Sequence, residues 1–116
     1  MLQITPQSKI FLATLCVDFR RGITGLSAIC KKILAMDPFS GQLFLFRNRS
    51  GTAIKILCYD GQGFWLCMKR FSQGKLNWWP TSSEQSVRLS HHELQILLYN
   101  GNPIKAQIPP DWRKVA

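Results

Sequence analysis

Six carboxylates make up the whole acidic inventory of this 116-residue chain: Asp18, Asp37, Asp60, Glu84, Glu93 and Asp111. An enzyme acting on phosphodiester bonds needs two or three such groups converging on a metal, or a histidine placed to move protons. Three of the six have a ready structural duty instead. Asp37 precedes a helix-ending proline, Asp60 sits in a hairpin turn, and Glu93 completes a capping box. Asp18 is placed to pair with Arg20 or Arg21. His91 and His92 are neighbours in the first turn of an expected helix, where adjacent side chains diverge by about 100° and cannot chelate one ion together. Cys16, Cys30, Cys58 and Cys67 lie 14, 28 and 9 positions apart with no C-x-x-C pair. That spacing argues against zinc and for buried thiols that pack as small hydrophobes. Gly61-Gln62-Gly63 is too short to cradle a phosphate and is explained by its turn. No catalytic residue, no metal site and no cofactor is expected, so the chain reads as a non-enzyme.

The cations tell a different story. Fifteen Lys and Arg against six acids give a net charge of +9. Ten of those cations, Arg20, Arg21, Lys31, Lys32, Arg47, Arg49, Lys55, Lys69, Arg70 and Lys75, fall in one window with only Asp37 and Asp60 between them, a local balance of +8. Such a field attracts polyanions, and nucleic acid is the commonest of them in the cytosol. These ten are the candidate nucleic-acid-binding residues. Between them lie Phe39, Phe44, Phe46, Tyr59, Phe64, Trp65, Phe71, Trp78 and Trp79, the mixture found where rings stack on bases and cations hold phosphates. A small domain also needs most of these rings for its core. Trp78-Trp79 is the expected exception, since adjacent strand residues face opposite sides and one ring is left outward.

The elements that must position these groups can be read from pattern. Ile10 to Val17 is a short continuous apolar run, the signature of a buried strand. Thr24 is placed to cap a helix in which Leu26, Cys30, Ile33 and Leu34 recur at helical spacing, with Asp37-Pro38 as its stop. A meander follows: Gln42 to Arg47, Thr52 to Tyr59 and Phe64 to Met68 as strands, with Asp60-Gly61 as the hairpin signal. Leu57, Tyr59, Phe64 and Leu66 fall on one face there, and Ile54, Ile56 and Trp65 on the other. Leu76 to Trp79 continues the meander until Pro80, and Thr81 to Arg88 reads as polar turn. Ser90-His91-His92-Glu93 opens a second helix that Asn100-Gly101 ends. The prediction is a single α+β domain, an antiparallel β-meander of about four to five strands packed with two α-helices. Its core spans about 8–100, and 101–116 forms a loose tail.

With 46% hydrophobic residues the chain is too apolar to be a disordered basic tail, so its charge sits on a folded body. No apolar run approaches the roughly 18 residues of a membrane span, and the first ten residues lack a signal-peptide pattern. A soluble cytoplasmic protein with no membrane partner is expected.

Taken in order, Asp18-Phe19-Arg20-Arg21-Gly22-Ile23-Thr24-Gly25-Leu26, then Asp37 to Arg49 (DPFSGQLFLFRNR), Ile54 to Phe64 (IKILCYDGQGF), Lys69-Arg70 and Trp79-Pro80 closely resemble one family of bacterial transposition proteins. This is the TnpB-type second open reading frame product of insertion sequence sixty-six elements, unrelated to the RNA-guided nuclease of the same name. The resemblance covers about Ile10 to Asn100. It implies a small accessory protein that assists a separate, larger transposase carrying the catalytic acids. DNA, the transposase and other proteins of the same element are the implied partners. The family pattern often has Leu-Glu where this chain has Phe71-Ser72, and another apolar residue or Trp at Cys58, so neither position is read as functional. Two modes of action follow: binding of transposon or target DNA through the basic surface, or docking on the transposase as an adaptor without DNA contact.

Overall fold

The computed structural model describes residues 4–103. The tail expected at 101–116 therefore falls, beyond residue 103, outside the described residues. The described elements are β1 (Ile10–Val17), α1 (Ile23–Lys32), β2 (Leu43–Asn48), β3 (Ala53–Tyr59), β4 (Phe64–Arg70), β5 (Ser86–Leu89) and α2 (His91–Leu98). The strands form one sheet in the order β4-β3-β2-β1-β5.

The fold is α+β, and the sheet is mixed rather than purely antiparallel. The meander holds for β2, β3 and β4, which pair antiparallel in succession. β1 instead runs parallel to β2. Parallel neighbours cannot be joined by a tight turn, and the stretch that carries α1 supplies the long crossover they require.

β2 and β3 are buried along nearly their whole length. That explains their continuous apolar sequence, because both faces of the sheet are covered. On one face Ile10, Leu12, Leu43, Leu45, Ile54 and Ile56 pack against Leu94 and Leu97 of α2. On the other, Ala13, Val17, Phe44, Phe46 and Leu57 pack against Leu26, Ile29 and Cys30 of α1. The expected division of the β3–β4 hairpin holds, with Leu57, Phe64 and Leu66 on the α1 side and Ile54 and Ile56 on the α2 side. Between Leu12 and Cys16 the β1–β2 register shifts, from Leu12↔Leu45 to Cys16↔Arg47. β1 gains two residues on its partner there. A slip of one would turn every later side chain to the wrong face, whereas a slip of two keeps both cores in phase.

Three local expectations need correction. α1 is capped by Gly22 rather than Thr24, without a side-chain hydrogen bond, and Leu26 N–H already donates to Gly22 O at 3.0 Å. It ends at Lys32, before the Asp37-Pro38 stop, where Ala35 takes φ 55° and lets Met36 N–H reach back to Cys30 O at 2.9 Å. Leu76 to Trp79 is not a strand; the fifth strand is β5, one of the two edges of the sheet, most of which lies in the stretch read as turn. Ser86–Leu89 has only two apolar residues, and its conformation is set by antiparallel pairing with Ile10 to Ala13, which local composition does not register. The capping box is present as expected. Ser90 Oγ accepts from Glu93 N–H at 3.1 Å, and Glu93 Oε1 accepts from Ser90 N–H at 2.9 Å.

Ala35 is exposed and holds a left-handed conformation that costs an L-residue about 1 kcal/mol and a glycine nothing. Ala35→Gly is expected to stabilise the fold by up to about 1 kcal/mol, read from the urea midpoint at constant slope. A loss of stability would show that the turn is not strained.

Candidate nucleic-acid interface

The ten candidate cations do not form one patch. Five gather around the end of β1, with Lys32 reaching it from the last turn of α1. Arg20, Arg49 and Arg70 line an open cleft of about 720 Å³ together with Asp18, Asn48 and Ser50. Arg21 and Lys32 line a second, of about 370 Å³, on the other side of Cys16, Val17 and Asp18. The topology builds this arrangement. Parallel β1 and β2 end at the same edge of the sheet, β4 ends beside them through its pairing with β3, and α1 starts there.

The β1–α1 loop that carries Arg20 and Arg21 is fixed from two sides. Asp18 Oδ1 accepts Arg20 N–H at 2.9 Å, and Asp18 O accepts Arg21 N–H at 3.0 Å. Arg20 Nη2 donates to Asp18 Oδ2 at 2.6 Å and Nε to the same oxygen at 3.0 Å. The Arg20 side chain is 91% exposed, so this ion pair is solvent-screened and competes weakly with an incoming phosphate. From below, Lys55 Nζ donates to Phe19 O at 2.8 Å and Arg21 O at 3.0 Å, and lies 4.9 Å from the Phe19 ring centroid. A buried ammonium has to find such acceptors. Lys55 thus positions the loop from inside instead of facing solvent. Gly25 completes the arrangement, because a Cβ there would lie 2.9 Å from Arg21 Cβ.

The remaining candidates lie elsewhere. Lys31, on the last turn of α1, faces the Phe39 ring at 5.6 Å. Lys69 donates to Leu98 O and lies near Phe71 and Tyr99, on the α2 side of the sheet. Lys75 is exposed on the irregular segment after β4, where its carbonyl accepts Asn100 Nδ2 at 3.0 Å. Arg47 is half-buried, its Nε enclosed without a hydrogen-bond partner among the described residues.

The rings also sort themselves. Phe44 and Phe46 are fully buried. Trp78 and Trp79 both pack against the α2-side core, and Trp79 Nε1 donates to Ala13 O at 2.9 Å beside the β1 irregularity. The expectation that this pair leaves one ring outward fails because the segment is no strand. Of the nine rings singled out in the sequence, Phe39 at 51% and Trp65 at 37% stand outward, and the sequence pattern did not separate them from the core rings.

Of the acids, Asp60 serves its turn. Its Oδ1 accepts the N–H groups of Gln62 and Gly63, both at 2.9 Å, and Oδ2 accepts the Trp65 indole at 2.8 Å. Cys30 and Cys58 are buried and Cys16 and Cys67 half-buried, all four as free thiols. Burial pushes the Cys30 thiol up to about 12, which keeps it protonated and unreactive. Among the described residues no three of His, Cys, Asp and Glu gather as a metal site, and no helix is long and apolar enough to cross a membrane.

A small α+β domain with cationic clefts at the shared end of two parallel strands is the class of protein these features define. The chain belongs to the family described as IS66 Orf2 like protein, which matches residues 8–107. That family gives it an accessory role in transposition of IS66 insertion elements. Two relatives come from Sinorhizobium fredii (strain NBRC 101917 / NGR234). Uncharacterized protein y4hO is 34% identical over 98 residues, covering 84% of each chain. Uncharacterized protein y4jC is 33% identical over 90 residues, covering 78% of this chain and 76% of that protein. No solved structure matches the chain.

Two predictions follow from the loop and the turn. The Arg20 side chain, then its N–H, hold the Asp18 carboxyl at about 2, and the Gln62 and Gly63 N–H groups lower that of Asp60. A carboxyl lowered on folding adds stability above its unfolded value, about 3.8, and loses it as pH falls through the folded value. The urea midpoint should hold above about pH 4 and drop towards pH 2, with a shallower drop in Asp18→Asn and Asp60→Asn. Lys55→Met should cost about 1–3 kcal/mol, because it leaves the Phe19 and Arg21 carbonyls without their donor. Amide exchange should rise at residues 19–22 before it rises in the sheet.

Proposed function

We propose that the protein binds transposon or target DNA through the clefts at the end of β1 and so assists the element's separate transposase. The observation that carries this reading is the convergence of Arg20, Arg21, Lys32, Arg49 and Arg70 around a single carboxylate, Asp18, on a loop held rigid by Lys55. Guanidinium groups on a fixed frame suit phosphate oxygens, and contacts of this kind set position along the duplex without reading bases. The chain supplies binding and positioning, and chemistry is left to the transposase.

A second reading, an adaptor that docks on the transposase without touching DNA, draws support from the opposite side of the sheet. There an apolar groove of about 580 Å³ lies between β4 and α2, lined by Ile4, Met68, Leu98 and Tyr99 among others. Met68 is 53% and Tyr99 85% exposed. The two surfaces are separate, so one protein can use both.

Fluorescence anisotropy with a duplex oligonucleotide across a salt series distinguishes the readings. Binding should weaken steeply with salt, and Arg49→Ala and Arg70→Ala should each lower the logarithmic salt slope by about 1. Asp18→Asn, which keeps the turn acceptor and removes a negative charge, should tighten binding. Absence of affinity in dilute salt, together with transposase capture that survives nuclease treatment, selects the adaptor.

A further inference from the structure

We infer that the groove between α1 and the loop leading into β2 receives one unpaired DNA base, stacked on Phe39, with the adjoining phosphates held by Lys31 and Lys32. This rests on the DNA-binding reading above and names a strand form that the reading leaves open. The groove, about 400 Å³, is lined by Ile23, Thr24, Ser27, Ala28, Lys31, Lys32, Phe39 and Phe64, with no carboxylate among them.

Three features point to a base as its occupant. First, Phe39 is an outward ring on a rigid mount. Pro38 beside it is fully buried, and Asp37 Oδ1 accepts the Phe39 N–H at 2.9 Å. Second, the ring is buttressed by Tyr59, with centroids 4.9 Å apart at 72°, and by Phe64, at 5.1 Å and 58°. Neither is a parallel stack, so the buttress leaves ring surface for a flat partner. Third, Lys31 Nζ stands over the Phe39 ring, 5.6 Å from its centroid, and Lys32 follows it on the same turn, so an arriving base replaces the ammonium on the ring while its phosphates draw both cations to the rim.

The strand form follows from the stacking. A base inside a duplex has both faces covered by its neighbours, so only an unpaired base can offer a face to Phe39. Lys32 also lines the cleft that holds Arg21. A strand whose paired part lies on the arginine clefts could therefore place its first unpaired nucleotide in this groove, the arrangement of a junction between duplex and single strand.

The test uses 2-aminopurine, whose fluorescence is quenched by stacking, placed in a single-stranded DNA oligonucleotide, at the first unpaired position of a duplex with an overhang, and within full duplex. The full chain should quench the first two probes and leave the third unchanged. Phe39→Ala should abolish the quench and weaken single-strand binding about tenfold, with duplex affinity unaltered and Tm lowered by only a few degrees from the lost contacts with Tyr59 and Phe64. Phe39→Trp should restore both. The inference is overturned if Phe39→Ala binds and quenches like the parent while Arg49→Ala still weakens DNA binding, an outcome that leaves the DNA reading standing. Failure of the parent chain to bind any DNA form overturns both. Clear preference for an RNA strand of the same sequence overturns the assignment to DNA.

Discussion

Strands β2 and β3 are buried on both faces, and most of the molecule is a response to that constraint. A sheet whose centre is apolar front and back needs cover on each side. With one helix for each face, the chain must place α1 between β1 and β2 and carry α2 to the far side after β5. The crossover makes β1 and β2 parallel, and parallel strands end together. The cationic clefts are a product of that shared ending, since it brings the residues after β1, after β2 and at the end of β4 to one edge.

Lys55 shows how the constraint reaches the surface. It sits in the middle of β3 on the α1 side, where a charge has no water, and its register partner on β2 is the buried Phe46. Its ammonium is satisfied by the carbonyls of Phe19 and Arg21, so the same bonds that make the lysine tolerable fix the loop bearing Arg20 and Arg21. An interior solvation problem and the geometry of an exterior site are solved by one side chain. Phe39 is the counterpart on the next loop. The Asp37 carboxylate and buried Pro38 anchor the chain immediately before an exposed ring.

Much of this could be read from the sequence, and what could not has identifiable causes. The capping box at Ser90 and the Asp60-Gly61 hairpin are local chemistry and stand as expected. The two faces of β3 and β4 follow from period-two alternation, which needs no tertiary knowledge. The direction of β1 relative to β2 does not follow, because an apolar strand carries no mark of its partner. β5 is weakly patterned and owes its form to β1. The window of ten cations is visible as composition, but its partition into a cleft, a buried Lys55 and a distant Lys69 depends on which face each strand residue takes. Trp78-Trp79 misleads for a related reason: treating the segment as a strand forces one ring outward, whereas in the irregular segment both fold onto the core.

Whether DNA engages the strand ends of β1 and β2, as proposed, is decided by amide chemical-shift mapping of isotope-labelled protein titrated with a duplex carrying a short overhang. Perturbations are expected in residues 18–32, at Phe39, in the turn at 48–51 and at Arg70, with the β4–α2 groove around Met68 and Tyr99 silent. Perturbations confined to that groove, or none at any DNA concentration while the transposase still binds, would rule out DNA engagement at the strand ends.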